Sequence, residues 1–114
     1  MEASGAIRAL GALAQAHRLA AFRLLVAAGE AGLAAGSIAD ALGLAPSSLS
    51  FHLAQLVHAG LVTQHRQSRS IIYAADYAAM AGLMGYLTEN CCGGVPCVGE
   101  TICPPMSTKA KDVA

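Results

Sequence analysis

Apolar side chains along this chain recur at helical spacing, give way once to a strand-like run, and then return to helical spacing. Ile7, Leu10 and Leu13, with alanines between them, predict a short helix over residues 6–15. Leu19, Phe22, Leu25 and Val26 put an apolar face on a second helix from about Ala16 to Ala28, which Gly29 and Gly32 punctuate. Leu33–Leu42 reads as a third, shorter helix with Ile38 and Leu42 four apart. Gly43 closes it at the position where glycine relieves the left-handed backbone of a helix end. A fourth helix opens on Pro46, whose missing N–H costs nothing in the first turn. Leu49, Leu53 and Leu56 follow at i, i+4 and i+7, and Gly60 ends the run. Two helices joined by so short a connection through a glycine form a helix-turn-helix. Ala45 stands at the N-cap of the fourth helix, where Ser, Thr, Asp or Asn would accept a backbone N–H.

After Gly60 the period changes. Leu61–His65 and Ser70–Tyr73 are β-prone runs, and Arg66-Gln67-Ser68-Arg69 between them has the length of a turn. This predicts a β-hairpin with a basic tip. A last helix is expected over Asp76–Glu89, with Tyr77, Met80, Leu83, Met84 and Leu87 on one side and an acidic first residue that suits the helix dipole. The fold class is therefore mainly α with a small β-hairpin wing. Residues 1–92 form one domain, and 93–114 are read as a flexible cysteine-containing C-terminal tail.

Composition adds two things. Only 12% of residues are charged and 55% are hydrophobic, against ~25% charged in an ordinary domain. A 114-residue chain so poor in charge has more apolar surface than a compact monomer can hide, which points to a homodimer. Net charge is zero, yet no acidic residue lies between Asp40 and Asp76, while His52, His58, His65, Arg66 and Arg69 all do. Such a stretch can face a phosphate backbone. Arg8, Arg18, Arg23, Glu30, Asp40 and Asp76 break up every apolar run, and the first residues lack a signal-peptide pattern, so a cytoplasmic protein without a membrane span is expected.

On the fourth helix, Ser47, Ser50 and Phe51 point away from the leucines, and Ser48, His52 and Gln55 flank them. Serine, histidine and glutamine bond bases and phosphates, and Phe51 can press on a thymine methyl. The stretch Pro46-Ser-Ser-Leu-Ser-Phe-His-Leu-Ala-Gln-Leu-Val-His-Ala-Gly-Leu-Val62 resembles the recognition-helix signature of the ArsR/SmtB metalloregulatory repressors. The resemblance runs over about residues 7–92, including His17-Arg18-Leu19 and the wing ending in Tyr73. It implies a winged helix-turn-helix homodimer paired through its first and last helices. It further implies an inverted-repeat operator, repressed while effector is absent. It assigns Ser47, Ser48, Ser50, His52 and Gln55 to DNA contact, and Arg66 and Arg69 to phosphates. There are departures. Ser68 stands where the family's wing has glycine, the third helix lacks the cysteine pair of one metal-sensing group, and the last helix lacks the histidine and acidic set of another.

All four cysteines lie beyond the last helix: Cys91, Cys92, Cys97 and Cys103. Thiolates select soft metals. No Cys-X-X-Cys knuckle of the zinc type is present, and adjacent cysteines bridge one another poorly. Two neighbouring thiols plus a third returned by Gly93-Gly94 suit a pyramidal three-sulfur centre, as trivalent arsenic or antimony prefers. Asn90-Cys91-Cys92 followed by Cys97 is similar to arsenic repressors with C-terminal cysteines. That likeness assigns Cys91, Cys92 and Cys97 as ligands of an As(III) effector (Sb(III) by the same chemistry), with Cys103 an alternative third ligand. His17, His58 and His65 are read as structural or surface groups. No catalytic triad or carboxylate pair stands out, so no enzyme is expected. The rival readings are a redox-sensing repressor with a C-terminal disulfide switch, a repressor of another thiophilic metal or of methylated arsenite, and a thiol module that buffers metal without DNA.

Overall fold

The computed structural model describes residues 1–94. Five α-helices and a three-stranded antiparallel sheet follow the order α1 (Ala3–Leu13), α2 (Ala16–Ala28), β1 (Leu33–Ala34), α3 (Ala35–Leu42), α4 (Pro46–His58), β2 (Val62–Gln67), β3 (Ser70–Ala75) and α5 (Tyr77–Leu87). A single 3-10 turn over Cys91–Gly94 comes after α5. The core lies where α2, α3 and α4 converge on the sheet, and its largest fully buried side chains are Leu25, Ile38, Leu49, Leu53, Leu56 and Leu61. Three of these are the i, i+4, i+7 leucines of α4. That spacing alone locks one face of the helix inward and turns the other to solvent.

Both halves of the helix-turn-helix end in the same way. Gly43 adopts φ 66° after α3, its N–H reaching Asp40 O and the Leu44 N–H reaching Ala39 O at 3.1 Å. Gly60, at φ 82° after α4, is followed by a Leu61 N–H to Leu56 O bond of 3.1 Å. These pairs of back-bonds satisfy carbonyls that a helix end leaves orphaned. At the other end of α5, Asp76 is the N-cap rather than the first helical residue, its carboxylate accepting from the Ala79 N–H at 3.0 Å. Tyr77 then donates its hydroxyl to Val26 O at 2.8 Å, tying α5 to the end of α2.

The structure corrects several sequence expectations. Leu33 and Ala34 do not begin α3; they form β1, paired with Tyr73 and Ile72 of β3, in the sheet order β1-β3-β2. Two residues are too few to show a period. Gly32 makes the approach possible, because a Cβ there would run into the Tyr73 carbonyl. On α1 the alanines are the inward positions: Ala6 and Ala9 are buried, while Ile7 is 69% exposed. Small residues let α1 sit close to its neighbours; Ile7 and Leu10 are left outside, while Leu13 packs against the core as expected. Leu19 of α2 and Met84 and Leu87 of α5 are likewise exposed, not part of the inward face expected for them.

The hairpin also differs. Pairing continues to Gln67↔Ser70, so the turn is two residues, Ser68 and Arg69, and Arg66 lies within β2 opposite Ile71. Ser68 takes φ 58°. A positive φ at the first of two turn residues is where hairpins favour glycine, and a side chain there costs on the order of 1 kcal/mol. Ser68→Gly is expected to stabilise the domain by roughly 0.5–1 kcal/mol, raising the thermal midpoint by a few degrees. An unchanged or lower midpoint would contradict the strained turn.

No helix among the described residues is long and apolar enough to cross a membrane. Cys97, Cys103 and the expected flexible tail, save Gly93 and Gly94, lie outside the described residues.

Candidate nucleic-acid interface

With Leu49, Leu53 and Leu56 buried, α4 presents Ser47, Ser48, Ser50, Phe51 and Gln55 to solvent. Phe51 is 59% exposed. A ring this exposed, on a face of three serines and a glutamine, takes no part in the buried core. The helix has Pro46 in its first turn and no side-chain cap from Ala45, so its remaining first-turn N–H groups keep their donors free of side-chain acceptors. Every position expected to contact DNA on this helix is thus gathered on one accessible face, apart from His52.

His52 is half-buried instead of fully presented. Its ring lies 5.8 Å from Phe51 in an edge-on arrangement and 5.5 Å from the ring of His17 on α2, and its Nδ1 is buried without a hydrogen-bond partner. Burial, then the Arg18 guanidinium, then His17, hold its pKa below the ordinary 6.5. The fold therefore resists protonation at this ring. The stability that the neutral form supplies is complete above pH ~6.5 and is lost as pH falls through the lower folded-state value. His52→Gln is expected to flatten the pH dependence of the thermal midpoint as pH falls below about 6.5. A variant curve parallel to the wild type would rule this out.

His17 and Arg18 are the residues that the sequence reading left out of the site. The first turn of α2 places them beside α4: the Gln15 side chain caps the helix by accepting from the Arg18 N–H at 3.0 Å, and Arg18 Nε donates to Ala12 O at 2.8 Å. The signal was present in sequence as a His-Arg pair just past a helix start. Its partner on α4 is 34 residues away and no periodicity connects them.

The wing extends past the core. Along β2 only Val62 is buried, and Thr63 to Gln67 are exposed on both faces of the ribbon. Arg66 and Arg69 both sit on this outer part and are exposed. A helix face with hydroxyl, amide and aromatic groups beside a projecting basic ribbon matches what a duplex offers, base edges in one groove and phosphates alongside.

At the foot of α5, Asn90, Cys92 and Gly93 all take left-handed backbone, with φ 58°, 59° and 69°. Cys91 is half-buried and Cys92 is exposed. Burial, and then the neighbouring Cys92, push the Cys91 thiol up from its ordinary value. Among the described residues there is no group of three or more His, Cys, Asp or Glu side chains able to hold a metal ion. Of the three cysteines expected to act together, Cys91 and Cys92 are described, and Cys97 lies outside the described residues.

A helix-turn-helix domain model matches residues 13–65. The nodulation protein NolR of Rhizobium meliloti is 32% identical over 80 residues, a match spanning 70% of this chain and 63% of that protein's length. An ArsR-like transcriptional regulator from a Rhodococcus species superposes with a TM-score of 0.65 at 26% identity, covering 74% of this chain and 76% of that one. The homodimeric winged helix-turn-helix DNA-binding domain of Mb0332 from Mycobacterium bovis does so with a TM-score of 0.60 at 27% identity, covering 76% and 81%. With a helix-turn-helix of α3 and α4 followed by a β2–β3 wing, this chain belongs to the ArsR family of winged-helix regulators.

Proposed function

We propose that this chain is a transcriptional repressor that grips operator DNA as a homodimer and lets go when As(III) binds thiols beyond α5. The observation that carries the DNA-binding part is the exposed Phe51 amid Ser47, Ser48, Ser50 and Gln55 on α4, a polar face with one apolar contact for a thymine methyl. Dimerisation is supported by large apolar side chains left outside on two elements that touch within the chain, Ile7 and Leu10 of α1 and Met84 and Leu87 of α5. The homodimeric Mycobacterium bovis relative adds to that support. Two α4 helices related by a two-fold axis read half-sites about 34 Å apart on one side of the duplex.

For the effector, Cys91 and Cys92 would hold the metalloid with Cys97, or Cys103 in its place. Arsenous acid condenses with three thiols: three As–S bonds form, three As–O bonds break, three waters leave, and arsenic stays trivalent. Neutral thiols suffice for this exchange, so a raised Cys91 pKa is no obstacle. Cys91 and Cys92 follow the end of α5, so a metalloid captured there would bear on the helix that supports the dimer. Only a difference in affinity between the two dimer states can release DNA.

Footprinting with the reduced full chain on its own promoter tests the reading. Two protected half-sites one helical turn apart, lost on adding arsenite, are expected. Protection that persists under arsenite and disappears under peroxide would replace the effector with the redox switch. Protection lost only with a methylated arsenite would move the site to two thiols.

A further inference from the structure

Between α1, α2 and α4 lies a cleft of about 230 Å³ bordered by Arg8, Arg18, Gln55 and His58. We propose that this cleft seats a backbone phosphate of the duplex that α4 reads. The inference rests on the DNA-binding reading above and adds a contact outside the recognition face and the wing.

Two of the five arginines among the described residues meet here, and no carboxylate lines the cleft. In a chain of zero net charge, such a concentration is a local field for anions. Arg18 is fixed in place: its Nε bond to Ala12 O uses one of five N–H donors and leaves a rigid fork available for phosphate oxygens. Gln55 and His58 contribute an amide and an imidazole, both of which can donate.

Position argues for a duplex phosphate over a free one. Gln55 belongs both to the cleft and to the exposed face of α4. The positive charge of Arg18 also lowers the pKa of His52, on the same helix as Gln55. The cleft is thus continuous with the reading face along one edge of α4. It also includes Arg8 from α1, the helix whose outer side chains are left for a second copy. A duplex lying against α4 would bring the phosphates between the two half-sites to this edge.

The test measures binding of the full chain to operator and to unrelated duplex from about 50 to about 200 mM salt. Wild type is compared with Arg8→Gln, His58→Gln and Phe51→Ala. Arg8→Gln is expected to weaken both duplexes by a similar factor, on the order of tenfold, and to make the salt slope shallower by about 2 per dimer, one phosphate per cleft. His58→Gln, which lies on α4 and leaves α1 intact, should weaken both duplexes alike by a smaller factor. Phe51→Ala should weaken the operator alone. If wild type binds and both cleft variants keep its affinity and slope, the seat is wrong while the DNA reading stands. If wild type binds no duplex in a salt-dependent way, both fall. Inorganic phosphate is titrated onto the free protein and followed by arginine side-chain NMR. Saturable binding there, with an unchanged DNA slope in Arg8→Gln, would make the cleft a small-anion site and overturn the proposal.

Discussion

Leu87→Asp is expected to yield a folded monomer that has lost its grip on operator DNA. Leu87 is 54% exposed on α5 and Met84 of the same helix is also exposed, as are Ile7 and Leu10 of α1, which packs against α5. In a two-fold dimer each substitution appears twice. Losing one buried leucine per protomer removes about 2 kcal/mol each, about 4 kcal/mol per dimer, which weakens association roughly a thousandfold. Burying a carboxylate in the same place costs more. The core contains none of these side chains, so circular dichroism should report an intact fold. Sedimentation should show the monomer at concentrations where wild type is dimeric. Operator affinity should fall with it, because a single α4 reads one half-site. A Leu87→Asp protein that remains dimeric would move the interface elsewhere.

Cys92→Ser should separate binding from release. Cys92 is exposed, follows α5 and takes no part in the core or the α4 face. Its hydroxyl replacement keeps the size and removes the soft ligand, so affinity for operator should stay within about twofold of wild type. Arsenite that dissociates the wild-type complex should leave the variant bound. Couplings of this kind are on the order of 1–3 kcal/mol, so loss of one of three sulfurs is enough to push release out of range. Normal release of Cys92→Ser by arsenite would remove Cys92 from the ligand set.

Much of this was legible in the sequence, for identifiable reasons. The four central elements were readable because each of their signals is local. Leucines at i, i+4 and i+7 sort α4 into an inner and an outer face, Pro46 opens it, and Gly43 and Gly60 close the two helices with positive φ. The outer-face residues of α4 followed from that geometry alone. Long-range features were invisible. β1 exists only because Gly32 lets two residues reach β3. The burial of Ala6 and Ala9 in preference to Ile7 and Leu10 depends on how closely α1 approaches its neighbours, and a count of apolar positions favours the larger side chains. Likewise His17 and Arg18 join His52 through the packing of α2 on α4. In the wing, four residues with two arginines have the length of a loop, whereas pairing persists to a two-residue turn with Ser68 carrying the strain.

Competition binding of the reduced full chain on its own promoter duplex, against random duplex at one fixed salt concentration, tests most directly whether α4 reads DNA. A dimer using two such helices should prefer the promoter by at least a thousandfold, and Phe51→Ala should erode that preference while leaving random-duplex binding unchanged. Equal affinity for both duplexes, or a preference that Phe51→Ala does not touch, would mean that this face of α4 is not the reading head.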